Sequence, residues 1–242
     1  MKVMKYLAEQ DRKFTDMGGV KIHHSIYPVV YPVGENGWSP VIMFDNKHIL
    51  AGGQEVQSFV GSPVLVIRIL ISGTIAYYDS TGYRTVLTNN DILLVNTGNE
   101  VLQSVLNNAD EAEDSELIEI WLESGNVNRK YEFHSNLAKR ETGRFYTLTA
   151  PEQTEMESEG QKVWLGAGSF AQGDNYEIKA QPGGCSVLLF VVTGLVNANT
   201  NRLAFRDTAI FCDEVISLEF ESAADIFLMV MGTVEINKGA IK

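Results

Sequence analysis

Histidine is scarce in this chain. Four occur in 242 residues, His23, His24, His48 and His134, leaving the stretch between His48 and His134 and everything after His134 without one. A metal centre built on several imidazoles therefore has few residues to draw on in either half. Cysteine is nearly absent as well. Cys185 and Cys212 sit in apolar stretches without a C-x-x-C spacing, so they are expected to be reduced core residues rather than a disulfide, a thiolate cage or a redox pair. No uninterrupted apolar run approaches the roughly 18 residues a membrane helix needs, and the opening MKVMKYLAEQDRKF is mixed in character. Neither a membrane span nor a signal peptide is expected, and the expected compartment is the cytoplasm. Basic residues are in deficit, 19 against 31 acids, for a net charge of −12. That balance opposes phosphate backbones and anionic membrane surfaces, so the expected partners are a small molecule or another protein, with no direct nucleic-acid or membrane contact. The acid runs around Asp110–Glu116 and Glu152–Glu159 read as solvated loops. An apolar period of 3.6 residues is missing too, which leaves little room for helix.

Short strands and turns fill the chain instead. The stretch from Arg68 to Glu100, RILISGTIAYYDSTGYRTVLTNNDILLVNTGNE, reads as an apolar strand and a turn at Gly73, then a hairpin through Asp79-Ser80-Thr81-Gly82. A further strand, an Asn89-Asn90-Asp91 turn and the apolar strand Ile92–Val95 complete it. Strands of this length punctuated by Gly, Asn and Asp point to an antiparallel sandwich or barrel. VLLFVVTGLVNANTNRLAFRDTAIF in the second half repeats the unit, aligning Gly194 with Gly73 and Asp207 with Asp91. The expected fold class is all-β, two tandem jelly-roll-like barrels, residues 1–135 and 136–242. Polar residues 123–144 are read as a linker with a short helix near Asn136–Glu141.

Charges inside apolar strands are the next signal. His23 and His24, being adjacent on a strand, point to opposite faces and cannot both ligate one ion. Arg68, the one charge in its apolar run, is expected to pair with an acid between sheets or domains, with anion binding as the alternative. Glu119 and Trp121 share one face of their strand, opposite Ile118, Ile120 and Leu122.

The ordered set Gly52-Gly53, Ile71-Ser72-Gly73, Asp79-Ser80-Thr81-Gly82, Asn90-Asp91, Thr97-Gly98 and Ile120-Trp121-Leu122 resembles the pirin family, two-domain cupins whose first barrel usually holds iron. The likeness spans roughly residues 40 to 125, and the second half matches as a generic cupin repeat. It implies a bicupin fold. It also implies metal ligands as H-x-H before the Gly73 turn and a His and a Glu two residues apart after the Thr97-Gly98 turn. By position those places fall to Phe59 and Gly61, then Gln103 and Val105, none a good ligand for Fe(II). No metal and no cofactor is therefore expected. No G-x-S-x-G elbow, phosphate-cradling glycine loop or Cys–His pairing offers other chemistry.

Two functional readings follow. In the first, the chain is a pirin-like bicupin without a metal site, a non-enzymatic small-molecule-binding, regulatory or stress-related protein, with Phe59, Gly61, Gln103 and Val105 lining an apolar pocket or simply filling core. In the second, it is a quercetin-dioxygenase-like oxidoreductase with an unexpected metal site, or a metal-independent enzyme using His48 with Glu100 or Glu119.

Overall fold

Strands such as Gln54–Phe59 and Val215–Phe220 bury alternate residues on one side, whereas strands such as Ile92–Asn96 are buried on both faces. The computed structural model describes residues 5–26, 41–108, 110–134, 142–147, 156–158, 161–180, 186–212, 215–231 and 234–238. Among them the only helix is a three-residue 3-10 turn, Glu9–Asp11, and no helix is long and apolar enough to cross a membrane. The segment read as linker helix, 136–141, lies outside the described residues, as does Cys185. Of Cys212 only its place in a strand is described.

The chain forms two compact units, residues 13–138 and residues 139–242 together with 1–12. Strand β1 (Lys5–Leu7) belongs to the latter. The first unit then runs β2 (Lys13–Asp16), β3 (Val20–Ile26), β4 (Val41–Ile49), β5 (Gln54–Phe59), β6 (Val64–Ser72) and β7 (Ile75–Asp79). It continues with β8 (Arg84–Leu87), β9 (Ile92–Asn96), β10 (Leu102–Asn107), β11 (Ser115–Glu123) and β12 (Lys130–His134). They make two antiparallel sheets, ordered β12-β9-β6-β11-β4-β3-β2 and β5-β10-β7-β8. Val20, Ile22, Phe59, Val66, Leu70, Tyr77, Leu93, Leu102, Leu106 and Leu117 from both sheets form the core between them.

The second unit contains β13 (Arg144–Thr147), β14 (Met156–Ser158), β15 (Gln161–Phe170), β16 (Asn175–Ala180), β17 (Ser186–Thr193) and β18 (Val196–Ala198). It ends with β19 (Asn201–Leu203), β20 (Thr208–Cys212), β21 (Val215–Phe220), β22 (Ala224–Met231) and β23 (Val234–Lys238). Its sheets are β1-β20-β17-β22-β15-β13, with β14 also on β15, and β19-β18-β21-β16-β23. Its hydrophobic core runs from Phe170 and Ile178 through Leu189, Phe211 and Leu218 to Leu228.

Residues 1–12, expected with the first barrel, fall in the second unit, where the chain pairs with a strand far along its own length. Lys5–Leu7 pairs with Thr208–Ile210. Tyr6 Oη donates to Asp207 at 2.8 Å, and Arg206 meets Glu9 at 3.2 Å. A three-residue strand carries too little pattern to announce a partner so far along the chain.

The internal repeat is confirmed bond by bond. In the first barrel the Leu70 amide donates to Asp91 O and the Asn90 amide to Leu70 O. In the second, the Val191 amide donates to Asp207 O and the Arg206 amide to Val191 O. Each Asp also accepts from the amide three residues before it, Thr88 or Ala204. The residue ahead of each Asp is left-handed, Asn90 at φ 69° and Arg206 at φ 63°. Gly73 and Gly194 turn the preceding strand in both copies, at φ 91° and 86°.

Candidate functional site

Within the first barrel the interior is not uniformly apolar. Cross-strand register places His24 opposite Asp45, Asp45 opposite Glu119, and Glu119 opposite Arg68. Residues directly opposite one another share a face, so these four form a polar row across the inner wall of the large sheet. Lys47 stands two residues from Asp45 on that same face. The facing sheet contributes Glu55, Gln57 and Phe59, the buried alternates of β5, and Leu102, Ser104 and Leu106, the inward side of β10.

Glu119 is the hub. Its Oε1 accepts from Lys47 Nζ at 2.7 Å, Gln57 Nε2 at 2.7 Å and Trp121 Nε1 at 3.0 Å. Its Oε2 accepts from Arg68 Nε at 2.7 Å. Lys47 Nζ also donates to Glu55 Oε1 at 2.7 Å, and Arg68 Nη2 donates to Gln57 Oε1. Two cations thus meet two carboxylates in a site sealed from water, and the network ties the two sheets together. The Arg68 guanidinium lies over the Tyr77 ring, 5.2 Å from its centroid.

Burial alone would push the Glu119 carboxyl up, yet Lys47 and then Arg68 bring it down to about 2. Burial would likewise pull Lys47 down, but Glu119 and Glu55 hold it well above the ordinary lysine range. Lys47 is therefore an ammonium, unsuited to attack as a free amine. A depressed carboxyl contributes stability that is fully present above its unfolded value and is lost as pH falls through the folded one. The stability gap between the wild type and Glu119→Gln is accordingly expected to be widest above about pH 4.5 and to close as pH falls toward 2. Urea titrations at stepped pH check this, and a gap independent of pH would contradict it.

Polar contacts continue on either side of the hub. With its Nδ1 proton toward Asp45 Oδ1, 2.8 Å away, His24 offers Nε2 to the Thr15 hydroxyl at 3.0 Å. These three side chains link β2, β3 and β4. Burial raises the Asp45 carboxyl, against the opposing pull of His24 and Lys47. At the other end Asp79 accepts from Tyr77 at 3.0 Å and Tyr131 at 2.7 Å, and Tyr131 stacks on Tyr83 at 4.0 Å. Burial and the Asp79 contact push the Tyr131 hydroxyl up to about 12, although the Thr81 hydroxyl pulls the other way.

The structure does not bring the four degenerate ligand positions together. Phe59 points inward, packed on Trp121 at 4.9 Å and filling core. Gly61 lies in the exposed turn after β5 at φ 97°. Gln103 and Val105 occupy the outward side of β10, Gln103 exposed and Val105 half-buried. On β10 the period of two explains the miss, because positions placed one residue out of register fall on the opposite face, while on β5 the pair falls two residues late and its second member runs into the turn. The inward equivalents pair Gln57 with Ser104 and Phe59 with Leu102. His48 is also on the face opposite the row. Its nearest acid is Glu116, at 3.7 Å, while Glu100 meets Arg129 and Glu119 is engaged inside. Arg68 pairs with an acid, but on the neighbouring strand of its own sheet rather than between sheets or domains. Lys47, Glu55 and Gln57 escaped notice in the sequence. Their signal was charge or amide at alternate positions of short strands, Asp45-x-Lys47 and Glu55-x-Gln57.

A metal ion of the kind this barrel type implies does not fit these residues. The inward equivalents of the ligand positions, Gln57, Phe59, Leu102 and Ser104, supply amide, phenyl, alkyl and hydroxyl groups instead of imidazole, and Glu55 and Glu119 are already held by cations. Among the described residues no three His, Cys, Asp or Glu side chains converge as a metal site.

No protein-family model matches the sequence, and no curated protein does. Solved structures do. YhhW from Escherichia coli matches with a TM-score of 0.79 at 16% identity, over 96% of this chain and 98% of that one. A second structure, bacterial pirin YhhW from Escherichia coli in complex with nickel(II), gives 0.79 at 16% over 95% and 99%. The fold is that of a pirin-type bicupin. Quercetin 2,3-dioxygenase from Acinetobacter baumannii matches with a TM-score of 0.71 at 18% identity, over 96% of this chain and 88% of that one.

Proposed function

We propose that this chain is a metal-free pirin-like protein that works without catalysis, as a cytoplasmic binding or regulatory factor. The observation that carries this reading is the engagement of Glu119 by Lys47, Gln57, Trp121 and Arg68 inside the first barrel. A redox metal needs open coordination positions and ligands free to bind it. Here the interior carboxylates are neutralised by the chain's own cations, and core side chains occupy the space around them. Recognition is then made from the outside of the molecule, by a small molecule or a protein. The charge of −12 supports that choice over nucleic acid or an anionic membrane.

The test is elemental mass spectrometry of untagged protein, followed by quercetin turnover with Fe(II), Ni(II), Mn(II) or Cu(II) added. Far less than one transition-metal ion per chain and no turnover above the metal-only blank are expected. One tightly held ion per chain, or saturable turnover, would overturn the reading.

A further inference from the structure

We infer that Lys47 Nζ occupies a cation site inside the first barrel, one built from hard oxygen donors and filled by the chain's own ammonium. This rests on the metal-free reading above and adds what neutralises the barrel's interior carboxylates.

Three observations place the site. First, Glu55 Oε1 and Glu119 Oε1 approach Nζ from different sheets, each at 2.7 Å, so the nitrogen sits where two carboxylates converge. Lysine is seldom fully buried, and this side chain is 2% exposed, threaded along the inner wall to reach that point. Second, the charges balance around it. Lys47 and Arg68 offset Glu55 and Glu119, so removing the ammonium leaves one negative charge in excess, before Asp45 is considered. Third, two acceptors around the site are not used up. Among the described residues Glu55 Oε2 and Ser104 Oγ are buried with no hydrogen-bond partner. Ser104 stands opposite Gln57 on the neighbouring strand, and Gln57 is two residues from Glu55 on the same inward face. Buried oxygens of this kind belong to a site made for a cation or a hydrogen-bond donor.

The donor set fixes the ion class. Carboxylate and hydroxyl oxygens without imidazole or thiolate favour hard cations such as Mn2+, Mg2+ or Ca2+ over softer metals. Lys47 excludes them because its positive charge already fills the position. Shortening Lys47 to alanine takes away the ammonium and opens roughly the space of its stem, leaving the oxygens in place.

The experiment is thermal unfolding of wild type, Lys47→Ala and Lys47→Ala/Glu119→Gln across a titration of MnCl2, with methylammonium chloride as a second probe. Binding is counted by the electron paramagnetic resonance of free Mn2+. The wild type is expected to show no Tm shift. Lys47→Ala is expected to melt lower without added ion, to recover progressively with Mn2+ or methylammonium, and to bind one Mn2+ per chain. The added Glu119→Gln is expected to weaken that binding at least tenfold. A folded Lys47→Ala that binds no cation overturns the inference, and so does failure to fold in every ion tested, since a cation site has to recover with a cation. Metal in the wild type would instead refute the reading beneath it, so the two failures are told apart.

Discussion

Glu119→Leu is expected to destabilise the first barrel by about 3–5 kcal/mol, the usual cost of stripping one partner from a buried ion pair. The substitution deletes the acceptor of four hydrogen bonds and leaves Lys47 with Glu55 alone and Arg68 with Gln57 alone. Both remaining cations stay out of water. A domain has about 5–15 kcal/mol in total, so the loss is a large share of it. The measurement is urea unfolding, with the midpoint falling and the slope unchanged. A Lys47→Met/Glu119→Leu double variant is expected to lose less than the sum of the single losses, since the first change removes a charge the second would orphan. A loss within about 1 kcal/mol for Glu119→Leu would mean that water reaches the network and the sealed interior is wrong.

The second large effect is steric and falls on both barrels. Gly73 and Gly194 have φ values of 91° and 86°, where a side chain is strained in any surroundings. A methyl at Gly73 would sit 2.8 Å from Ser115 Cα, and one at Gly194 2.7 Å from Ala224 Cα. Each contact is with backbone on a neighbouring strand, which cannot rotate away. Gly73→Ala and Gly194→Ala are each expected to cost about 3 kcal/mol or more, from left-handed strain plus overpacking. Gly82→Ala is the comparison, at φ 90° with nothing within 4 Å of the added carbon. It carries strain alone, about 1–2 kcal/mol. If the three variants melt together, close approach contributes nothing and the turn conformation alone explains the glycine.

The frame of the molecule was legible because its signals are local. Gly73, Asn90-Asp91 and their counterparts Gly194 and Arg206-Asp207 each fix a turn through the backbone of a few neighbouring residues. Arg68 was legible as a paired charge, since an isolated guanidinium in an apolar strand has few other fates. The network around it was not legible. Lys47 lies in Asp45-Asn46-Lys47, which has the composition of a turn, yet it runs through the middle of β4 as continuous strand. Which of two alternating faces turns inward depends on register against strands far away in sequence. A one-residue offset on β10 was enough to exchange Ser104 for Gln103, and a two-residue offset on β5 ran past Gln57 to Gly61. The docking of β1 likewise depends on a partner 201 residues distant, as the Tyr6–Asp207 bond measures.

That docking bears on synthesis. Residues 5–12 leave the ribosome before either barrel exists, and the strand they complete is among the last to be made. Residues 13–138 can close their own sheets in the interval, while the earlier segment waits beside them as an unpaired strand. Until it settles, the outer edge of β20 exposes hydrogen-bonding groups that invite pairing with other chains. A gene divided at residue 138 would strand β1 on one product and leave the other with a bare sheet edge, so the two barrels are separable as units of contact but not as units of sequence.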